Sequence, residues 1–338
     1  MKSLKTITKE ALEDMISMTV NSHCNEHNIV RKILLSVVCF NFIGMMPLYA
    51  QLASAVLHHQ GTITSYAPGR FSDALKNAKN GDTLYIGEGI VPEDITVNNG
   101  ITIIGAGVNT HIAGSLEVTF TNSPTIIKNI DIQGDLSLLV DYSNVSVTVS
   151  QCQVRGTVTF GASSIANIDR CYIKGFSLVE NDGVNIINCK IEQISGSSST
   201  GKATFTNCDI KQLNNLDATG ASCTATYVNT IIGGFASNGF NSSTVFMKCL
   251  MKADDTLKTY IEQTITQDCW YMNDEIINED FNYNFNINGY TGTDDTFIGT
   301  MGGAAPYTLT PAVPRITDHT ISVDSSTKKL NVTLTIGN

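Results

Sequence analysis

Between residues 110 and 252, apolar and polar residues exchange places at every second position, in short bursts. Ser146-Val-Thr-Val alternates, then Cys152-Gln-Val, then Gly156-Thr-Val-Thr-Phe. Exchange at period two is the signature of β-strands, and three bursts per unit predict three short strands per turn. The unit repeats. Cys152-Gln-Val-Arg-Gly, Cys171-Tyr-Ile-Lys-Gly, Cys189-Lys-Ile-Glu and Cys208-Asp-Ile-Lys open at steps of 19, 18 and 19 residues. Ile130-Asp-Ile-Gln-Gly and Thr110-His-Ile-Ala-Gly extend the series upstream. Asn229-Thr-Ile-Ile-Gly and Cys249-Leu-Met-Lys extend it downstream. A mean step near 20 residues suits one coil of a parallel β-helix. A leucine-rich repeat is excluded, because the Leu consensus with its spaced Asn is missing and β-branched residues dominate. The predicted fold is all-β: a right-handed single-stranded parallel β-helix of about 20 residues per coil, with an N-terminal capping helix and a C-terminal β-strand tail.

Alternation assigns directions. The first and third residues of each phrase, the Cys and the following Ile or Val, face inward, and the second and fourth face out. Stacked strands about 4.8 Å apart carry parallel side chains whose Cβ atoms stand beyond the usual disulfide range. No C-x-x-C pair occurs among the nine cysteines, so a zinc framework is not expected either. The ladder thiols are expected to be buried as small hydrophobes. Cys223 and Cys269 fall off the ladder, and a pairing between them stays open.

Both ends of such a coil need covers. Phe71, Ala74, Leu75 and Ala78 lie at i, i+3, i+4 and i+7, which predicts a capping helix closed by Gly81. The expected organisation is an N-terminal extension with a signal peptide at 1–50, a flexible lead-in at 51–68, the β-helix at 69–255, an irregular cap over the far end at 256–300, and a β tail at 301–338. The leader reading rests on Arg31-Lys32, the apolar run Ile33 to Leu48, and cleavage after Ala50 or Ala55. Residues 1–30 lie far upstream of that run, which fits initiation at a later Met such as Met15 or Met18. The run is short for a membrane span, and no other segment could form one, so no transmembrane segment is expected in the mature chain.

The chain has 21 basic and 31 acidic residues, a formal net charge of −10. That balance argues against nucleic acid, whose phosphates require a basic footprint. With the leader pattern, the chain is expected to be exported, extracellular or on the outer cell surface, and it is expected to be a monomer.

The stretch Phe71-Ser-Asp-Ala-Leu-Lys-Asn-Ala-Lys-Asn-Gly-Asp-Thr-Leu-Tyr-Ile-Gly-Glu-Gly, with Ile95-Thr-Val and Ile101-Thr-Ile-Ile-Gly-Ala-Gly, resembles the opening of the pectin-lyase-like right-handed β-helix superfamily. The resemblance covers roughly residues 69–255. It implies the fold; the superfamily includes lyases, hydrolases, adhesins and proteins with no known activity. Asp294-Asp-Thr-Phe-Ile-Gly, Gly302-Gly303, Pro306-Tyr307 and Pro314-Arg-Ile, followed by strands Ile321-Ser-Val and Leu330-Asn-Val-Thr-Leu-Thr-Ile, resemble the ending of exported surface β-helix proteins of Gram-negative bacteria. The pattern there is D-G-T-x-I-G-x-Y-G-G, from which Asp295 and Met301 depart.

The signatures that the resemblance implies for a hydrolase of this fold, an N-T-D, a D-D on the ladder, a G-H-G and an R-I-K, are not found. Asp254-Asp255 and Asp294-Asp295 read as turn residues, and Arg315-Ile-Thr lacks the Lys. The outward second positions are His111, Asp131, Gln153, Tyr172, Lys190, Asp209, Thr230 and Leu250, and the fourth are Ala113, Gln133, Arg155, Lys174, Glu192, Lys211, Ile232 and Lys252. Arg155, Tyr172, Lys174, Lys190, Glu192, Asp209 and Lys211 therefore form one polar patch over four rungs, the candidate face for a glycan or partner. Alternating charges on neighbouring rungs also stabilise an exposed sheet. No catalytic residue and no cofactor are expected; Ca²⁺ enters only if the chain is a polysaccharide lyase, which needs a base near a carboxylate cluster. The expected function is a non-catalytic, adhesin-like or glycan-contacting surface protein, with a polysaccharide lyase or other carbohydrate-active enzyme as the alternative.

Overall fold

The computed structural model describes residues 52–119, 123–139, 145–162, 164–178, 183–196, 201–214, 224–236, 243–310, 315–324 and 329–337, the last two as backbone only. The expected leader and Cys223 lie outside the described residues.

The alternation does what it predicts. The chain winds into a parallel β-solenoid of about eight turns, roughly 20 residues per coil. Two long parallel sheets result. The entry sheet stacks Thr83–Ile86, Thr102–Ile104, Thr125–Lys128, Ser146–Ser150, Ile165–Asp169, Gly183–Ile187, Lys202–Thr206, Thr224–Val228, Val245–Met247 and Ile265–Gln267. The ladder sheet carries the phrases, from Gly89–Val91 to Trp270–Met272. The predicted third strand is separate in the early coils, as in Leu116–Thr119 and Leu136–Leu139. From Gln153–Phe160 to Asp209–Asn214 it fuses with the phrase strand, and a register shift between Val154 and Thr157 replaces the break.

Each coil turns its corner on one residue. Asn129, Gln151, Arg170, Asn188, Asn207, Asn229, Lys248 and Asp268 all hold φ between 51° and 58°. That left-handed conformation costs an ordinary residue about 1–2 kcal/mol, and Asn tolerates it best. The residue after the corner points inward. Cys152, Cys171, Cys189, Cys208 and Cys249 are wholly buried free thiols, pushed above their usual range by burial. They do more than fill space. Cys208 Sγ donates to Thr206 O at 3.3 Å and Ile186 O at 3.6 Å. Cys189 Sγ accepts the Cys171 amide at 3.3 Å. Thr230 fills the same place, its hydroxyl donating to Val228 O at 2.9 Å and Phe205 O at 3.3 Å. Further inside, Phe160, Phe176, Phe205, Tyr227 and Phe246 form a column with ring centroids 5.0–5.4 Å apart, tilted or edge-on as far as Phe205 and stacked from Phe205 to Phe246. Each such pair contributes about 0.5–1.5 kcal/mol beyond its buried area.

Four expectations change. Ile231 pairs with Asp209, so Thr230 rather than Asn229 opens its phrase. A one-residue slip exchanges the faces, and Ile231 and Gly233 are the outward positions instead of Thr230 and Ile232. Trp270 pairs with Leu250, which puts Cys269 on the ladder and extends the coil past residue 255 to Met272. The capping helix runs Phe71–Asn77 with Ala78 extended at its end, so Gly81 lies beyond the helix terminus, where its amide reaches Gly100 O at 2.8 Å. The lead-in is not loose: Ala55–His59 and Thr62–Tyr66 form an antiparallel hairpin that pairs with Thr83–Ile86 and covers the first sheet edge. His59 Nδ1 stands 2.6 Å from buried Asp82.

The C-terminal part departs most. Asp254 caps the helix Asp255–Ile261, accepting the Leu257 amide at 2.8 Å. Residues 276–310 then lie along the side of the coil rather than only beyond its end. Ile276, Ile277, Phe281 and Ile298 pack on Ile231 and Leu250, making a second small core outside the ladder sheet. Arg315–Asp324 and Lys329–Gly337 pair antiparallel, as the tail pattern predicts.

Candidate functional site

The residues after this second core form a strap along the corners. Asn229 Oδ1 accepts the Thr293 amide at 2.8 Å, and its carbonyl accepts the Gly299 amide at 2.6 Å. Asn207 Nδ2 reaches Asp294 Oδ2 at 3.4 Å, and Asn188 Nδ2 donates to Gly302 O at 2.7 Å. Gln151 Nε2 donates to Thr310 O at 3.0 Å. The αL corner side chains thus serve twice, setting the turn and holding the returning chain. The tail motif is the strap's own geometry. Asp295 holds φ 60° where the pattern has glycine, and Gly299 holds φ 71°. A Cβ on Gly299 would stand 2.4 Å from Asp209 Oδ1 and 2.9 Å from the Tyr283 hydroxyl.

The strap divides the predicted patch. Asp209, expected on the open face, is completely buried. It does point away from the coil's interior, but Tyr283 Oη donates to it at 2.9 Å and the Thr300 amide at 3.2 Å, with the Thr300 hydroxyl as a third donor. Burial raises its pKa to about 6, against the pull of those donors and of Lys190. Lys190 lies over the rings of Phe281 and Tyr307, 5.6 and 5.0 Å from their centroids. Lys211 lies 4.5 Å from the Phe281 centroid and pairs with Glu192 at 3.7 Å and Glu279 at 3.5 Å. Tyr172 donates to Glu192 and meets Phe281 edge-on at 6.1 Å; burial and that carboxylate raise its pKa to about 12. Arg155 and Lys174 stay exposed.

One grouping was missed. It centres on His111, whose Nδ1 lies 2.8 Å from Asp131 Oδ2. Asp131 is fully buried and also takes Gln133 Nε2 at 2.7 Å, Arg155 Nε at 3.0 Å and Arg155 Nη2 at 3.2 Å. The hydrogen bond to Asp131 raises the Arg155 pKa. The signal was available: His111, Asp131 and Arg155 occupy outward positions on three successive phrases.

The open part of the face continues into a groove of about 620 Å³ between the ladder sheet and residues 273–279. Its walls include Glu192, Gln193, Lys211, Gln212, Lys252, Asp254, Asn273, Glu275 and Glu279, and Phe235, Leu257 and Ile277 add apolar surface. Among the described residues no three His, Cys, Asp or Glu side chains converge closely enough to hold a metal ion. Among the described residues no helix is long and apolar enough to cross a membrane. No family model matches the sequence, and no curated protein and no solved structure matches it.

Proposed function

We propose that this chain is an exported, non-catalytic β-helix protein of the bacterial envelope or surface that contacts glycans with the outer face of its ladder sheet. The observation that carries the reading is the continuity of Tyr172, Glu192 and Lys211 with a polar groove large enough for a few sugar residues. Ligand sites of about 300–1,000 Å³ with a few convergent polar groups are the usual form of small-ligand recognition. The leader-like pattern at 31–55 and the tail motif support export and a surface location in a Gram-negative cell. The pectin-lyase-like opening supports kinship with that superfamily. Binding to an immobilised glycan panel, weakened by Glu192→Gln or Lys211→Ala and unaccompanied by new unsaturated sugar ends, is the expected result. A panel without binders would sink the reading.

The hydrogen-bonded pair His111–Asp131 favours a second reading, a carbohydrate-active enzyme. A buried carboxylate on Nδ1 orients an imidazole so that Nε2 can move a proton. Release of unsaturated ends that His111→Ala abolishes would establish it.

A further inference from the structure

The groove exists because two side chains are missing. At the fourth phrase position, Arg155, Lys174, Glu192 and Lys211 project long side chains rung after rung, and Lys252 does so two rungs beyond Lys211. Between Lys211 and Lys252 the same position is Gly233, followed by Gly234. This notch bares main chain at the groove floor. A Cβ on Gly233 would meet the Lys211 carbonyl oxygen at 2.9 Å, whereas one on Gly234 would find it at an ordinary 3.6 Å.

The walls select by charge. Four carboxylates, Glu192, Asp254, Glu275 and Glu279, face two ammonium groups, Lys211 and Lys252. Lys211 is already paired with Glu192 and Glu279. An anionic polymer would enter against a net negative wall, in a chain whose net charge is −10. Carboxylates accept hydroxyl protons, amides such as Gln193, Gln212 and Asn273 both donate and accept, and a glycine floor admits a flat ring close to main-chain polar groups. That set matches an uncharged polyol.

We infer that the Gly233–Gly234 notch is the binding subsite for a neutral hexose oligosaccharide, and that uronate and sulfated glycans are refused there. The inference rests on the glycan-contacting reading above and names its ligand class. The test is a panel of neutral gluco-, galacto- and manno-oligosaccharides printed beside uronate and sulfated ones, probed with the wild-type chain and with Gly234→Tyr. A Cβ at Gly234 makes only ordinary main-chain contact, so Gly234→Tyr is chosen to block the groove, and a far-UV spectrum and thermal melt verify the fold. Asn273→Trp, from the facing wall, serves if Gly234→Tyr fails to fold. The expected result is binding to neutral spots only, weakened at least tenfold by the filled groove. Binding confined to anionic spots, or neutral binding that both filled grooves leave unchanged, overturns this inference and leaves the glycan-contacting reading standing. No binding to any spot by the wild type overturns both.

Discussion

The Tyr283 hydroxyl donates to Asp209 Oδ2 at 2.9 Å, joining a segment that follows the coil to a carboxylate inside its span. Asp209 has no exposed surface, and burial lifts its pKa from 3.8 to about 6. The folded state therefore binds this proton more tightly than the unfolded chain does. Its contribution favours the fold most below about pH 4 and is lost as pH rises through about 6. Two pKa units correspond to about 3 kcal/mol, an order-of-magnitude figure. Amide exchange across 293–303 is expected to slow between pH 7 and pH 5, after correction for intrinsic rates. Asp209→Asn should flatten that dependence. An unchanged pH profile in the variant would remove Asp209 from the strap's energetics.

Asn229 sets its corner with φ 51° and exchanges hydrogen bonds with Thr293. The two roles separate by substitution. Asn229→Gly keeps the left-handed corner and drops the side-chain hold, for about 1 kcal/mol. Asn229→Ala loses both, for about 2–3 kcal/mol. Urea unfolding should rank wild type above Gly above Ala. Gly299→Ala, at φ 71° against Asp209, should cost about 1–3 kcal/mol and release the strap without unwinding the coil. Limited proteolysis near residue 300 reads that release.

The cysteine ladder predicts a selective chemistry. Cys152, Cys171, Cys189, Cys208 and Cys249 have no exposure, whereas Cys269 on the last rung is partly exposed. The hydrogen bond from Cys249 lowers the Cys269 pKa to about 7, more than its own burial raises it. The thiolate is the reactive form. Brief iodoacetamide treatment of the native protein is expected to alkylate Cys269 ahead of these five, as peptide mass mapping would show. Thr230 already stands at a ladder position, so Cys208→Thr should cost no more than about 1 kcal/mol. Cys208→Asp, a carboxylate buried at the same place, should abolish folding.

The coil was legible because burying one face of each strand and turning the other outward leaves a strict period in the chain, and Cys152, Cys171, Cys189 and Cys208 mark it. The strap was not, because its partners are far apart: Tyr283 and Thr300 cover Asp209 from 74 and 91 residues away. Alternation correctly turned Asp209 away from the interior, but outward is not the same as solvated. A local signal did exist. With Thr230 opening its phrase, the outward column ends in Ile231, Leu250 and Trp270, an apolar run that demands a cover. Starting that phrase at Asn229 put Thr230 in the column and hid the run. The Asn residues that precede the phrases at 188, 207 and 229 were the second overlooked mark, since they are left-handed corners to which the strap is tied. Asp131 and Arg155 were legible as outward residues, and their pairing needed the rung-to-rung register.

Arg155 tests whether the upper part of this face is free to bind anything. Its Nε and Nη2 span both oxygens of Asp131, which has no exposure of its own, while the Arg155 side chain is 47% exposed. Removing the fork leaves Asp131 with His111 and Gln133 alone. Arg155→Ala is expected to cost about 1–2 kcal/mol in urea unfolding, below the full price of a buried pair because one partner is half in water. Arg155→Lys should recover little, since an ammonium cannot bridge two carboxylate oxygens in one plane. In a double-mutant cycle, Asp131→Asn should make Arg155→Ala nearly neutral, because no buried charge is then left unpaired. A coupling near zero would mean that the guanidinium is not committed to Asp131, and Arg155 would return to the residues available for a ligand. A coupling of about 1 kcal/mol or more, the net worth of an ordinary hydrogen bond, assigns Arg155 to the sheet's own stability. Glycan recognition would then fall to the groove side of the face, at Glu192 and Lys211.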